Sequence, residues 1–271
     1  CDCTNLDSER HLMSDLKKHI KILKAGGGVV TPKLMGWLSN NDGVHAPTPE
    51  IMEKAVGILT PHDGDRSGHF HPSQLYQCKR KQLFEFYGLP GKTSYNPTLQ
   101  NLFNDGHFRH LRWQIMLLSA GLLTDVEVPA KMPEFRLGGS MDGVNEKEGW
   151  VFELKGTSNF AGVQRSGVMA AHKKQTQAYL LASGYKKCVV IYECKSSQQW
   201  AEFEVERDDE IAAEITAILT ELNHAIDSGE MPEVLDDCKN QTGATFARCP
   251  YASSCLGIGS TDEIVTPVSI G

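Results

Sequence analysis

The stretch GGSMDGVNEKEGWVFELKGTS, residues 138–158, decides the fold of this chain. Its second half is an apolar run with large side chains at alternate positions, Trp150, Phe152 and Leu154. Side chains of a β-strand alternate between its two faces, so Glu153 and Lys155 point together to the opposite side. Asp142 lies in the Gly-rich turn before this strand. An isolated pair of this kind is most often a solvated sheet face with a cross-strand ion pair, so the surrounding sequence must decide its role.

Patterns on both sides of this stretch predict an α/β fold. Strands are predicted in five segments: LTDVEVPA (123–130), EFRLGG (134–139), WVFELKG (150–156), KKCVVIYEC (186–194) and WAEFEVE (200–206). Helices are predicted over 4–24, around 49–58, from an N-cap at Ser73 to Gly88, from Pro97 to Gly121, and over 167–183 and 208–228. In the main domain the order is two helices, three strands, a helix, two strands and a helix. This order predicts a small mixed central sheet that is flanked by helices.

The composition divides the chain into three expected segments. Residues 1–70 are expected to form an N-terminal helical appendage and linker, because the stretch before residue 72 is rich in Gly, Pro, His and Asp. Its run of three glycines reads as a helix stop rather than a phosphate loop, since no GK[ST] follows it. Residues 71–258 are expected to form the main domain, and residues 259–271 a tail.

Charge and hydropathy limit the classes of partner. The net charge of −7 and the isoelectric point near 5.8 argue against a general nucleic-acid coat. Local basic clusters remain, however, and they permit a basic groove on an acidic protein: Lys79–Lys81, Arg109 with Arg112, and His172–Lys174. No apolar run approaches the length of a membrane span, and no secretory signal is visible, so no membrane partner and a cytoplasmic location are expected.

Four short patterns surround the acid–lysine pair. They are GxxxH at Gly106–His110, GxxD at Gly139–Asp142, ExK at Glu153–Lys155 and QxxxY at Gln175–Tyr179. Each pattern alone is weak, because a single helical histidine or a turn aspartate is common. Together they place two carboxylates where they can converge on a hard cation such as Mg²⁺. A neighbouring lysine can stabilise the charge that develops on a phosphoryl oxygen.

This set, in this order, resembles the catalytic core of the PD-(D/E)xK nuclease superfamily, in its RecB-like branch. The resemblance covers roughly residues 71–257 and implies a restriction-endonuclease-like core. It implies a Mg²⁺- or Mn²⁺-dependent deoxyribonuclease that acts in recombination, repair or DNA processing, encoded by a bacterium, an archaeon or a phage. The implied active-site residues are His110, Asp142 and Glu153 as metal ligands, Lys155 as base or charge stabiliser, and Gln175 and Tyr179 as residues that line the site.

The cysteines form a second constellation. CPYASSC supplies Cys249 and Cys255, Cys78 lies far upstream, and Cys238 precedes the pair by a longer segment than the related proteins have. The arrangement resembles the iron–sulfur RecB-like nucleases, which include the AddB nuclease domain and CRISPR-associated adaptation exonucleases. The resemblance implies that these four thiolates hold a [4Fe–4S] cluster.

A structural Zn²⁺ site with the same four ligands is the chemical alternative for the cysteines, and only then are His69 and His71 further candidates. The spacing favours a metal site in a reducing compartment over a disulfide framework. Cys188 and Cys194 lie in or beside an apolar strand and are expected to be buried free thiols.

The resemblance implies single-stranded or end-containing DNA as the substrate. The composition favours the same substrate, because an acidic chain has little basic surface to grip both backbones of a duplex. Candidate phosphate contacts are Arg80, Arg112 and Lys174. Two alternatives stay open. In the first, the chain is a non-catalytic iron–sulfur or zinc module that binds DNA ends. In the second, it is a nuclease of CRISPR spacer acquisition. Expected protein partners are accordingly recombination or CRISPR adaptation proteins.

Overall fold

The computed structural model describes residues 28–40, 46–57, 67–91 and 97–265. In these residues a five-stranded sheet has the order β1-β2-β3-β4-β5, with β3 and β4 parallel and the other neighbours antiparallel. The strands are β1 Asp125–Met132, β2 Leu137–Asn145, β3 Trp150–Thr157, β4 Lys187–Cys194 and β5 Trp200–Glu206. The predicted α/β fold with a small mixed central sheet is confirmed.

Helices cover both faces of this sheet. They are α1 Thr31–Ser39, α2 Pro49–Val56, α3 Lys79–Phe86, α4 Pro97–Ser119, α5 Phe160–Ser166, α6 Ala170–Ser183 and α7 Asp209–Ser228. Short helical turns follow, α8 Asp236–Lys239, α9 Gly243–Ala247, α10 Ala252–Cys255 and α11 Asp262–Val265. The predicted helix over 4–24 lies outside the described residues. Within the described ranges, no helix combines the length and the apolar character needed to cross a membrane.

Three element boundaries differ from the sequence prediction. The helix expected to start at Ser73 begins only at Lys79, because the preceding residues close turns among themselves. The helix expected over 167–183 begins only at Ala170, and a separate helix that was not predicted, α5, comes before it and ends at Gly167, which has a positive φ of 76°. The first part of EFRLGG is a 3₁₀ turn rather than a strand, and Arg136, with φ of 51°, turns the chain into β2.

The two faces of β3 lie in separate apolar clusters. Trp150, Phe152 and Leu154 pack with Trp113 of α4, whereas Val151 packs with Tyr179 of α6 on the opposite face. The predicted alternation is therefore confirmed. The face that carries Glu153 is not a solvated surface, however, because α6 covers it and leaves Glu153 only 1% exposed.

The segment before the main domain packs against the sheet in its described part. Val30 and Leu34 are fully buried in the same cluster as Trp113. The Glu202 carboxylate on β5 accepts hydrogen bonds from three successive backbone N–H groups at the start of α1, of Val29, Val30 and Thr31, at 2.6, 2.9 and 2.6 Å. An acid at a helix N-terminus satisfies donors that have no partner within the helix. The domain division at residue 71 stays a prediction.

Candidate active site

α4 and β2 bring His110 and Asp142 together. His110 Nδ1 lies 3.2 Å from Asp142 Oδ1, and Asp142 Oδ2 accepts a hydrogen bond from the backbone N–H of Leu154 at 2.7 Å. The second bond ties the aspartate to β3, the strand that carries the ExK residues. The GxxxH and GxxD patterns, which lie far apart in sequence, therefore meet at one point above the sheet.

The ExK and QxxxY residues continue this contact chain. Lys155 Nζ lies 2.5 Å from Glu153 Oε1 and donates a hydrogen bond to Gln175 Oε1 at 2.9 Å. Gln175 Nε2 donates in turn to the Tyr179 hydroxyl at 3.0 Å. Gln175 and Tyr179 are one helical turn apart on α6 and both are buried, so they hold the lysine from above the sheet.

One carboxylate oxygen of this site has no hydrogen-bond partner among the described residues. Glu153 Oε2 is buried, and no described residue forms a hydrogen bond with it. A buried carboxylate oxygen without a donor is costly, because it has lost its water and gained nothing in return. The described part of the site is therefore incomplete without a further donor or a cation.

The pKa values of the two acids, Glu153 and Asp142, shift in opposite directions. Burial and the negative charge of Asp142 raise the pKa of Glu153 to about 7, although Lys155 opposes the shift. Burial would also raise the pKa of Asp142, but the charge and hydrogen bond of His110 hold it below its ordinary value. Burial would lower the pKa of Lys155, yet the charges of Glu153 and Asp142 raise it. At neutral pH Asp142 is therefore ionised, Lys155 is an ammonium ion and Glu153 titrates.

A buried glutamate on β4 fixes α4 over the sheet. Glu193 is 1% exposed and its carboxylate contacts Arg112 NH2 at 2.5 and 2.6 Å, Trp113 Nε1 at 2.6 Å and Arg109 NH1 at 3.3 Å. Charge-assisted bonds of this kind compensate for the burial of the carboxylate. Because all three donors belong to α4, the contact sets the position from which His110 reaches the site.

Two neighbours of the site were not predicted from the sequence. Gln114 Nε2 donates to Glu127 Oε1 at 2.7 Å and to the backbone oxygen of Asp142 at 3.0 Å. Gln114 follows His110 by one helical turn, a spacing that could have identified it. Glu127 lies on β1 with a left-handed φ of 51°, and no sequence pattern signals that conformation for a glutamate.

The four predicted cluster cysteines meet at a second place. Cys78, Cys238, Cys249 and Cys255 all line one small cavity of about 20 Å³, together with apolar side chains such as Phe84. Neither His69 nor His71 is among the lining residues. Throughout the described ranges, no group of three or more histidine, cysteine, aspartate or glutamate side chains is arranged closely enough to hold one metal ion. The structure thus places the four thiols around a common space, and neither they nor His110, Asp142 and Glu153 show a completed ligand geometry.

The prediction that Arg80 contacts phosphate is corrected by the structure. The Arg80 guanidinium is buried and bonds to the cysteine region instead. Arg80 is 5% exposed, and its Nε donates to Cys255 Sγ at 3.3 Å. Its two other nitrogens bond to backbone oxygens, NH1 to Pro232 at 2.9 Å and NH2 to Cys255 at 2.8 Å, and NH2 also contacts the oxygen of Ile258. A guanidinium enclosed in this way cannot reach a DNA backbone.

The other predicted positions divide by exposure. Arg112 and Lys174 keep partly exposed side chains, although Arg112 also bonds Glu193 and Lys174 lies 3.7 Å above the Tyr76 ring. Their role as phosphate contacts stays a prediction. Cys188 is fully buried in the sheet, where burial raises the pKa of its thiol well above the ordinary value. It lies outside the cavity that the other four cysteines line.

Comparisons with known proteins identify no family. No family model matches the chain, and no curated protein matches it. Among solved structures, an alkaline exonuclease from Laribacter hongkongensis is similar at 20% identity and a TM-score of 0.45, over 60% of this chain and 92% of that chain. The structure of the same exonuclease in complex with dAMP has 17% sequence identity and a TM-score of 0.46, over 65% of this chain and 92% of that chain. A phage-related exonuclease from Haemophilus somnus 129PT has 10% sequence identity and a TM-score of 0.45, over 57% of this chain and 91% of that chain. Similarities at this level do not establish a function.

Proposed function

We propose that this chain is a divalent-metal-dependent DNA nuclease that hydrolyses phosphodiester bonds. The observation that carries the proposal is the buried Glu153 carboxylate, whose Oε2 has no partner in the described structure, beside Asp142 and the Lys155 ammonium ion. A purely structural ion pair would satisfy both carboxylate oxygens. An oxygen held open next to a second carboxylate is instead what a hard cation requires.

The residues present fit Mg²⁺ or Mn²⁺. Asp142 and Glu153 offer carboxylate oxygens and His110 offers an imidazole; His110 and Asp142 are in contact, and Glu153 lies within the range of the charges of both. A divalent ion bound there supplies Lewis-acid polarisation of the phosphate and lowers the pKa of a water molecule. The negative charge that the cation neutralises is already assembled, because both acids lie within the range of each other's charge.

The lysine acts through its charge. Because the neighbouring carboxylates raise the pKa of Lys155, it stays protonated at neutral pH and is not a general base. Its ammonium group stabilises the negative charge that develops on a phosphoryl oxygen. Gln175 holds the ammonium group by its side-chain oxygen, and the Tyr179 hydroxyl fixes the orientation of that amide. These two residues therefore position the lysine.

A cleft beside the lysine fits a single DNA strand. It has a volume of about 720 Å³ and is lined by the end of β3, by α5 and the start of α6, and by the residue after β4; Thr157, Ser158, His172 and Lys195 are among the lining residues, and none of them is a carboxylate. Burial, and then the charge of Lys155, lower the pKa of His172 to about 4, so this lining residue of the cleft lies within the range of the lysine's charge. Hydroxyl, imidazole and ammonium groups without a nearby acid suit a phosphate backbone. We propose single-stranded DNA with a free end as the substrate, with its backbone bound in this cleft.

The four cysteines that line one cavity are proposed to hold a metal centre, a [4Fe–4S] cluster or, as the alternative, Zn²⁺. Burial raises the pKa of the Cys255 thiol, but the charged donor from Arg80 to Cys255 Sγ opposes this shift and would stabilise a thiolate that binds a metal. Iron and zinc analysis of anaerobically purified protein distinguishes the two, with about four irons and absorption near about 400 nm expected for the cluster. Absence of both metals would contradict a metal centre.

The nuclease proposal is tested with matched labelled DNAs at one Mn²⁺ concentration. Linear single strands, circular single strands and a blunt duplex are compared, each with and without chelator. Cleavage that needs the metal and favours the linear single strand is expected. Equal cleavage of circular and linear strands would refute the need for an end. Binding of DNA ends without cleavage would support a non-catalytic end-binding module instead.

A further inference from the structure

We propose that His172 is a neutral hydrogen-bond donor to the backbone of the bound DNA strand and that Tyr192 fixes which of its nitrogens donates, an inference that rests on the proposed nuclease function. His172 is a half-buried residue in the first turn of α6 and lines the cleft of about 720 Å³. It precedes Gln175, the residue that holds the Lys155 ammonium group, by three positions. Residues three apart lie on one face of a helix, so His172 lies next to the catalytic residues.

The hydroxyl of Tyr192 determines which nitrogen of His172 carries the hydrogen. Tyr192 lies on β4 and is fully buried. Its hydroxyl oxygen accepts a hydrogen bond from the backbone N–H of Met169 at 3.1 Å and lies 2.7 Å from His172 Nδ1. Among the described residues no other group bonds to this hydroxyl, so Nδ1 is the acceptor for its hydrogen. A buried O–H group without an acceptor is costly, and the hydrogen of the imidazole therefore lies on Nε2.

The same contact keeps the imidazole uncharged. Burial raises the pKa of Tyr192, so its phenol keeps the hydrogen that it donates at neutral pH. His172 Nδ1 accepts that hydrogen and carries none of its own. Burial, and then the charge of Lys155, lower the pKa of His172 to about 4, which agrees with a neutral ring. The Nε2–H group is thus a donor without a positive charge.

The donor nitrogen is left for a ligand in the cleft. No described residue forms a hydrogen bond with His172 Nε2, and the ring borders the cleft. A purely structural contact with Tyr192 uses only Nδ1. The backbone N–H of Lys195 donates to the Thr157 oxygen at 2.9 Å and so holds an exposed lysine at the same cleft. Phosphate oxygens accept hydrogen bonds from neutral and charged donors alike, and a neutral donor close to Lys155 avoids repulsion between two cations.

The position of the hydrogen is measured by ¹⁵N NMR of the whole chain labelled at histidine. His172→Gln identifies the His172 signals by their absence. The wild type is expected to show one neutral form with the hydrogen on Nε2. Tyr192→Phe is expected to show a mixture of both neutral forms, because nothing then donates to Nδ1. A wild-type ring with its hydrogen on Nδ1, or with both nitrogens protonated at neutral pH, would overturn the inference.

The contact with DNA is measured by titration of a labelled single-stranded oligonucleotide in EDTA, so that binding does not depend on cleavage. His172→Leu removes both ring nitrogens and should weaken binding by about tenfold. His172→Gln should bind close to the wild type, because its amide N–H replaces the Nε2–H group. The control is His224→Leu, an exposed position on α7 outside the cleft, which should bind as the wild type does.

The salt dependence of the same titration separates a neutral contact from a charged one. Lys195→Gln should reduce the slope of log affinity against log salt concentration by about 0.7, the value for one phosphate contact on a single strand. His172→Leu should keep the wild-type slope although its affinity falls. A reduction of the slope by the same amount in both variants would refute the neutral donor.

The EDTA titration also distinguishes failure of this inference from failure of the proposed function. Wild-type affinity in His172→Leu would overturn the inference alone. If the wild type binds the strand but cleaves no DNA with Mn²⁺, the proposed function fails and the titration still decides the role of His172. If the wild type does not bind single-stranded DNA, both fail.

Discussion

Replacing the buried acid Glu153 with glutamine should stabilise the metal-free protein and do so increasingly as the pH rises. The pKa of Glu153 is about 7 in the folded protein, against an ordinary value of 4.5, chiefly because of burial and the charge of Asp142. A group with a raised folded-state pKa contributes stability that is fully present below the unfolded value and is lost as the pH rises through the folded value. The relevant window therefore runs from about pH 4.5 to somewhat above 7.

The size of the effect follows from the same two values. Between about pH 5 and pH 8 the ionisation of Glu153 should remove roughly 2–3 kcal/mol from the free energy of unfolding of the wild type. Glutamine cannot ionise, so Glu153→Gln keeps that contribution at both pH values. The pH dependence is more informative than either absolute value, because the effect of the Lys155 ion pair is already contained in the pKa of Glu153, whereas changes in packing that the substitution causes are the same at both pH values.

Urea unfolding of EDTA-treated protein measures this difference at the two pH values. The control is Glu206→Gln, an exposed acid on β5. Glu153→Gln should gain on the wild type at the higher pH, and the control should show no such trend. With saturating Mn²⁺ the order should reverse, since the ion binds only the folded wild type with high affinity. A stability difference between Glu153→Gln and the wild type that is the same at both pH values would refute the raised pKa of the buried Glu153.

Two further substitutions test the supports of the fold. Arg80→Met should lower the iron or zinc content, whereas Arg112→Met should not, because Arg80 donates to Cys255 Sγ and Arg112 bonds Glu193 instead. Equal metal content in both variants would show that Arg80 does not support the cysteine site. Glu202→Ala should cost roughly 1–2 kcal/mol by removing the acceptor for three N–H groups at the start of α1, and limited proteolysis should then cut the N-terminal segment sooner. Unchanged proteolysis would show that apolar packing alone holds α1.

Local patterns predicted the sheet well because they depend on neighbours along the chain. The alternation around Glu153 and Lys155 fixed which side chains share a face, and left-handed Gly121 follows the helix that was expected to end there. The predicted helix boundaries were wrong where more than one residue could cap the helix. Ser73 is a good N-cap by residue type, but its segment forms turns and α3 starts after Cys78.

Long-range contacts are what the sequence could not show. Arg80 lies in a basic triplet that reads as a phosphate contact, and its true partner Cys255 is 175 residues away. Glu127 looks like an ordinary polar position of an alternating strand, because its left-handed backbone leaves no trace in composition. The burial of Glu153 was equally hidden, since it depends on α6 packing over the sheet.

The most direct test of the central claim is cleavage of an end-labelled linear single strand by the wild type and by Lys155→Ala, purified identically, with DNA binding measured in parallel. The account predicts Mn²⁺-dependent cleavage by the wild type. It predicts a loss of roughly a hundredfold or more in the variant with similar DNA affinity, because the ammonium charge acts mainly in the transition state. Equal cleavage by both proteins, or no cleavage by the wild type with Mn²⁺ present, would contradict it.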